Sequence, residues 1–418
     1  MSTMYLALFG ILIGSALIQF YLVARFVSRL RKWKQRLLED AECPRAAVIL
    51  SLRGGDPFLS RCLGGLLTQD YPDYDVVFVV DHAKDPAMPI LKRAVEGCIF
   101  DRFRIDVLTN PLSTCSLKCS SLVQAIDSLP DSTKIVAFLD SDAIPHPTWL
   151  RELCTALVPT NIGAATGNRW YRPTQITQGS LIRYLWNSAA IVQMYWYGIA
   201  WGGTLALKLD SIRRAGILER WRRAYCEDTL VRTALAKIGQ KVVFVPSLMM
   251  INREDCTVSS FQSWVARQLL AARLYHPFWL FVVGHGIGSA MVFLWGFWLC
   301  IAAAIQGDFQ GAAGVFFALF AFHGFLTCLL PWMERAVFEI AKVRGDDVSW
   351  SSRPNWLAIL WFGWLTQWIY SWALLGCLFL KRFNWRGIDY EVGGPFDIKM
   401  MGYRPYQPAP ETQDTHSI

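Results

Sequence analysis

The chain has 418 residues, of which 53% are hydrophobic, 14% aromatic and only 18% charged, against roughly 25% charged in soluble proteins. That composition excludes a purely soluble globule, and a uniformly embedded protein is excluded too, because the 41 Lys+Arg and 33 Asp+Glu residues crowd between Arg25 and Arg273. The net charge of +8 comes without zinc-finger spacing or an aromatic-interleaved basic motif, so no nucleic-acid partner is expected.

The first element in chain order is an apolar run, residues 1–24, free of Asp, Glu, Lys and Arg. A membrane helix needs roughly 20 mostly apolar residues, and this run meets the length. It lacks a basic n-region and an A-x-A-like cleavage site, so it reads as a retained anchor. The segment RFVSRLRKWKQR (25–36) follows with six cations. The positive-inside rule places it, and the polar domain behind it, in the cytoplasm. A solvated helix face is compatible with that reading, since each cation near anionic headgroups gains on the order of 1 kcal/mol.

Next come four short apolar runs that predict strands at residues 47–52 (AVILSL), 75–80 (DVVFVV), 135–139 (IVAFL) and 241–245 (KVVFV). Leu59, Leu63, Leu66 and Leu67 give helical spacing over 56–67. Strands alternating with helices predict βαβ units, a Rossmann-like and mostly parallel α/β sheet. Continuous apolarity in each strand predicts helices on both faces. In such sheets ligands bind beyond the carboxyl ends of the strands. The first strand is followed by Arg53-Gly54-Gly55-Asp56, the second by Asp81, and the third by Asp140-Ser141-Asp142. Alternate positions of an extended segment point the same way, so Asp140 and Asp142 are suited to share one hard divalent cation, Mg²⁺ or Mn²⁺. Acidic triplets are common on solvated loops; here the triplet sits between a strand and AIPHPTWL, whose prolines and Trp149 predict an ordered loop.

Residues 181–200 are rich in aromatics but interrupted by Arg183, which predicts an interfacial helix rather than a further span. Glu227-Asp228 precedes TLVRTALAKIG, where acids complement a helix N-terminus. The eleven cysteines form no CxxC pair or Cys/His zinc spacing, and His82, His146, His276, His285 and His323 form no ligand spacing. Buried thiols in a reducing compartment are expected.

Three further uncharged runs cover 274–307, 309–333 and 354–380. His285 and His323 lie inside them, where a polar ring marks helix packing or a substrate path. Residues 336–343 predict an amphipathic interfacial helix in a loop, 334–353, that carries Arg335, Lys342, Arg344 and Arg353. Three more spans would put the C-terminus outside, yet Lys381, Arg382 and Arg386 follow the last run. Either that run is re-entrant, helped by Pro354, Gly363 and Gly376, or it spans against the local charge. The expected organisation is therefore an anchor (1–26), a cytoplasmic domain (27–273), multi-pass C-terminal helices (274–380) and a tail (381–418).

Taken in order, VILSLRGGDPFLSRCLGGLLTQDYP, VVFVVDHAKDP, FLDSDA, AWGGTLAL, CEDTLV, RQLL and FNWRGIDY resemble the membrane-bound family 2 glycosyltransferases of GT-A fold. Within them the likeness is to the ceramide glucosyltransferase-like branch. The resemblance implies that Asp81 holds the uracil of a UDP-sugar, Asp140 the ribose and metal surroundings, and Asp142 a Mn²⁺ or Mg²⁺ ion bridging the diphosphate. It places Arg53 in the donor site and Lys118 near the donor phosphates, although Lys118 also reads as a solvated helix residue. Asp228 corresponds to the general base, which inverting transfer needs within hydrogen-bond reach of the acceptor hydroxyl; Glu227 is expected to point elsewhere and orient the loop.

The family's Q-x-x-R-W box is altered to W-V-A-R-Q from Trp264. The register that loses least makes Arg267 the diphosphate contact, with Gln268 where the Trp stands and Arg273 in reserve. Loss of that Trp argues against a processive polysaccharide synthase. Trp170, Trp201, Gly202 and Gly203 follow segments near the acceptor, where glycine permits close backbone approach; core packing in turns is the other reading of each aromatic. The activity implied is inverting transfer of a sugar, glucose, from UDP to a membrane-lipid hydroxyl, ceramide. A hopanoid precursor or diacylglycerol as acceptor, and a non-catalytic nucleotide-binding membrane protein, are the alternatives. The lack of an obvious internal repeat argues against a secondary transporter.

Overall fold

A computed structural model describes residues 2–349 and 354–407; Arg353 and the tail from 408 lie outside the described residues. The first apolar run and the start of the basic segment form one 31-residue helix, α1 (Ser2–Lys32). The polar domain then runs β1 (Ala46–Leu52), α2 (Leu59–Leu66), β2 (Tyr74–Val80), α3 (Ala87–Val95), β3 (Phe103–Val107), α4 (Leu117–Asp127), β4 (Ile135–Leu139) and α5 (Trp149–Ala156). It continues through β5 (Ile162–Tyr171), α6 (Gln178–Tyr197), β6 (Thr204–Lys208), the short helices α7 (Leu209–Arg214), α8 (Ile217–Trp221) and α9 (Val231–Ala236), and β7 (Lys241–Asn252).

The seven strands form one sheet in the order β3-β2-β1-β4-β6-β5-β7. All neighbours are parallel except those of β6, which runs antiparallel to β4 and β5. This is the mostly parallel α/β sheet that the alternation of strands and helices predicts. Its two faces are covered as continuous apolar strands require. Val48 and Leu50 pack toward α2, α3 and α5, and the intervening Ile49 packs toward α4, α8, α9 and α10 (Val258–Tyr275). Three strands escape the apolar-run pattern. β3 (FRIDV) carries Arg104 and Asp106 at the sheet edge, while β5 (IGAATGNRWY) and β6 (TLALK) are built on small or mixed residues.

Register aligns the chemistry. Leu52 of β1 pairs with Val80 of β2, and β4 lies parallel to β1 from Ala46↔Ile135 onward. Arg53, Asp81 and Asp140, each one residue past its strand, therefore emerge at one edge of the sheet.

After α10 come α11 (Trp279–Ile305), α12 (Phe309–Val343) and α13 (Trp356–Phe379), then a three-stranded antiparallel sheet of β8 (Arg382–Trp385), β9 (Ile388–Gly394) and β10 (Asp397–Met400). Among the described residues three helices are long and apolar enough to cross a membrane: α1, α11 and α12. The fourth expected run forms α13, but Trp356, Trp361, Trp364, Trp368, Trp372 and Gln367 dilute its apolarity. Residues 336–343 are helical as expected and form the end of α12, which continues as one 35-residue helix through Pro331 and Glu334. Arg344, just past α12, donates to the carbonyls of Ser247 and Met249 on β7. Arg273 of α10 donates to the carbonyls of Cys377, Leu378 and Leu380 at the end of α13. The C-terminal ends of α12 and α13 thus both abut the polar domain.

Residues 181–197 fall in α6, which is not among the helices apolar enough to span and whose first half is buried between the polar domain and the apolar helices α12 and α13. Arg183 does not interrupt it. Its guanidinium is buried, 2.8 Å from Glu254 and 4.2 Å from the Tyr171 ring centre. Burial raises the Glu254 carboxyl to about 7 against the pull of Arg183. The second half of α6 meets α1 and α11. Trp196 Nε1 donates to Leu22 O at 3.2 Å, and the His285 ring nitrogens lie 2.7 and 3.0 Å from the side-chain amides of Gln19 and Gln193. Arg183→Met would strand Glu254 without its cation, so a loss of about 3–5 kcal/mol is expected. Thermal unfolding in detergent would register it as a large drop in Tm.

Candidate active site

A single cleft at the carboxyl edge of the sheet gathers most of the candidates. Arg53, Asp81, Lys118, Asp140, Asp142, Trp201, Asp228, Arg267 and Gln268 all line it. At one end Asp81 forms an ion pair with Arg53; burial raises the Asp81 carboxyl and Arg53 pulls it back.

At the centre stands Lys118. Ser116 caps α4 by accepting the Cys119 N–H at 3.1 Å, and this turn presents Lys118 to the cleft. Its ammonium bridges Asp140 (2.5 Å) and Glu227 (2.6 Å). Burial works against the Lys118 charge, but the two carboxylates more than offset it and raise its pKa. Burial likewise opposes the Asp140 charge, while Lys118 and then Arg169 hold it below the ordinary carboxylate range. Lys118 is therefore a bridging group rather than a solvated helix residue. Glu227 departs from expectation: its carboxylate turns into the cleft, where burial raises it to about 7 against the pull of Lys118.

Beside this bridge the Asp228 carboxylate is fixed at both oxygens. Oδ2 accepts the Gly202 N–H at 2.9 Å, and Oδ1 accepts from the Thr229 N–H and hydroxyl at 2.6 and 3.0 Å. Gly202 must lack a side chain, since a Cβ there would stand 1.8 Å from Glu227 Oε1 and 3.2 Å from Lys118 Nζ. Gly203 is as tightly packed, under the Trp201 ring. Gly202→Ala is accordingly expected to push Glu227 off Lys118 and lower turnover on the order of 10²-fold, as misplacement by about 1 Å does. Steady-state kinetics beside an unchanged unfolding temperature would check it.

Four candidates are not among the lining residues: Gly202 and Gly203 back the cleft behind Asp228 and Trp201, and two others are turned away from it. Arg273 is spent on the carbonyls that end α13, and Trp170 is 1% exposed, packed edge-on against Tyr184 on the far side of β5. Strand alternation explains the second case, because the neighbours Arg169 and Tyr171 take the cleft face instead. The Arg169 guanidinium is surrounded by the rings of Tyr171, Trp201 and Trp264 at 5.0–5.2 Å. Arg267 lies 5.7 Å from the Trp385 ring, so an indole reaches the altered box from β8. Glu254, Tyr225, Trp385, Arg386 and Tyr390 also line the cleft and were not anticipated as site residues. Trp385, Arg386 and Tyr390 fall in FNWRGIDY, so the motif signalled them without showing where they face; Glu254 and Tyr225 carried no signal.

Asp140 and Asp142 fit a hard divalent cation. Both line the cleft, and Asn252 donates to Asp142 Oδ2 at 3.1 Å. Burial and the adjacent Asp140 charge raise the Asp142 carboxyl to about 6, a repulsion that a shared cation would relieve. A second group, Asp81, His82 and Asp85, brings ligand atoms within 4.8 Å of one another. In that group Asp85 accepts the N–H groups of Gly54 and Ala87, and Asp81 pairs with Arg53 through Oδ2.

Residues 15–395 match the family model described as glycosyl transferase family 21; the motifs point to family 2 enzymes of the ceramide glucosyltransferase-like branch. No curated protein matches the chain in sequence. Among solved structures, a mannosyltransferase from Pyrobaculum calidifontis in complex with GDP-Man and Mn²⁺ is 17% identical, covering 89% of this chain and 99% of its own at a TM-score of 0.49. Glucosyl-3-phosphoglycerate synthase from Mycobacterium tuberculosis, with Mn²⁺, UDP-glucose and glycerol 3-phosphate, is 15% identical over 57% of this chain and 86% of its own, at a TM-score of 0.36.

Proposed function

Because the chain belongs to glycosyl transferase family 21, we propose that it moves glucose from UDP-glucose to the hydroxyl of a membrane lipid, ceramide, with inversion at the anomeric carbon. The observation that carries the lipid acceptor is the double use of α10. Trp264, Arg267, Gln268 and Ala271 line the cleft, while the helix packs along α6 and α13. Ring contacts continue from Tyr171 to Trp264, Trp186 and Tyr370 of α13, an aromatic path from cleft to apolar helices that suits a lipid with a polar head.

In this reading the Asp228 carboxylate, already oriented by Gly202 and Thr229, takes the proton of the acceptor hydroxyl as that oxygen attacks the anomeric carbon. The bond from the anomeric carbon to the diphosphate breaks on the opposite side, and its electron pair leaves with UDP. Arg267, Arg169 and Lys118 place positive charge along the cleft to stabilise the departing anion. Asp140 and Asp142 would hold Mn²⁺ or Mg²⁺, which supplies further positive charge to the diphosphate. Asp81 would receive the base. The basic end of α1 supports a cytoplasmic catalytic domain. Purified protein incubated with several UDP-sugars and a lipid panel, with and without Mn²⁺, tests the reading by product mass. Hexosylceramide formed from UDP-glucose and dependent on metal is expected; no lipid product from any pairing would overturn it.

A further inference from the structure

Asp81 and Arg53 close adjacent strands, yet the segment beyond β8 holds them as firmly as the sheet does. Arg53 donates through Nε to the Arg386 carbonyl at 2.9 Å and through Nη2 to the Arg404 carbonyl at 3.0 Å, while Nη1 pairs with Asp81 Oδ2. Arg386 in turn donates to the Arg53 carbonyl. On the other side, Asp81 Oδ2 accepts the Tyr406 N–H at 3.2 Å, and the Tyr403 hydroxyl donates to the Asp81 carbonyl at 3.3 Å. The Tyr406 ring packs against Gly54, where a Cβ would stand 2.6 Å from it, and lies 5.6 Å from the Arg53 guanidinium. Gly54 has φ +83°, a conformation that glycine adopts without strain. Pro405 stiffens the strap by fixing its own φ.

The consequence falls on the second oxygen of Asp81. With Oδ2 held from two sides, Oδ1 is buried and has no partner among the described residues. A buried acceptor left unmade is costly, and a ligand N–H that reaches it recovers that cost.

We propose that residues 386–406 form a wall of the donor's nucleobase pocket, with Tyr406 and Arg53 as positioning residues that hold Asp81 so that Oδ1 receives an imide N–H of the base. This rests on the UDP-sugar reading above. The pocket is completed only when the C-terminal segment is docked, so donor affinity depends on a part of the chain remote from the sheet in sequence.

The test is UDP binding by calorimetry in the presence of Mn²⁺, alongside transfer kinetics. The full chain is compared with chains ending at 407 and at 402, and with Tyr406→Ala and Tyr406→Phe. The chain ending at 407 and Tyr406→Phe are expected to bind UDP as the full chain does. The chain ending at 402 and Tyr406→Ala are expected to bind about tenfold more weakly, the effect of roughly one buried polar contact. KM for the UDP-sugar should rise in proportion while kcat stays near its original value. Unchanged UDP affinity in both shortened and Ala variants would overturn the inference, and so would tighter binding, which would make the segment a plug. Failure of the full chain itself to bind UDP would sink the donor reading, and the inference with it.

Discussion

Asp228→Asn is expected to lower kcat by about 10²–10⁴-fold, the usual contribution of a positioned general base, while UDP affinity stays within a few-fold. The substitution keeps the shape of the side chain and its contacts with Thr229, but removes the charge that would accept the hydroxyl proton. Among the described residues the rival carboxylate next to it in the cleft is Glu227, and the two are told apart by their partners. Glu227 is committed to Lys118 at 2.6 Å, whereas Asp228 accepts only from neutral N–H and O–H groups. Glu227→Gln should therefore weaken the bridge and cost less in kcat than Asp228→Asn. Single-turnover measurements on both variants decide the matter: the reverse order, with Glu227→Gln inactive and Asp228→Asn active, would reassign the base.

Lys118→Met should be nearly as damaging, by about 10²-fold or more in kcat/KM, the scale seen when one preorganised electrostatic group is removed. The ammonium bridges Asp140 and Glu227, and the Glu227 side chain is only 3% exposed. Removing it leaves two neighbouring carboxylates facing each other, so one must take up a proton or swing away. Either response disturbs the Asp140–Asp142 pair and the loop that carries Asp228. Lys118→Arg should not restore activity, because contacts at 2.5 and 2.6 Å to two carboxylates suit a compact ammonium rather than a planar fork. Kinetics of both variants check this; a Met variant within threefold of the original chain would remove Lys118 from the site.

The sheet was legible because its central strands are continuous apolar runs, and the residues one step beyond them, Arg53, Asp81 and Asp140, needed only the parallel register to converge. What the sequence hid has definite causes. β3, β5 and β6 contain charges or small residues that break the apolar pattern, so the alternation along β5 that turns Arg169 and Tyr171 inward and Trp170 outward was invisible. Arg273 is basic and near the box, but one helical turn and a half from Arg267 puts it against the end of α13. Glu227 reads as a helix-start acid until its partner Lys118, more than a hundred residues earlier, is in place. The C-terminal sheet is the largest omission: FNWRGIDY was recognisable as a motif, yet only tertiary docking brings Trp385, Arg386 and Tyr390 to the cleft. The same docking sets the segment behind the last apolar run, Arg386 included, beside the polar domain.

A single displacement at the anomeric carbon by a lipid hydroxyl, with Asp228 as base, inverts that carbon. Its most direct test is the anomeric configuration of the lipid product made from UDP-glucose, in which glucose is α-linked, read by proton NMR. A β-linked glucosyl lipid is the expected result; an α-linked product, or release of free glucose with no glycolipid, would contradict the account.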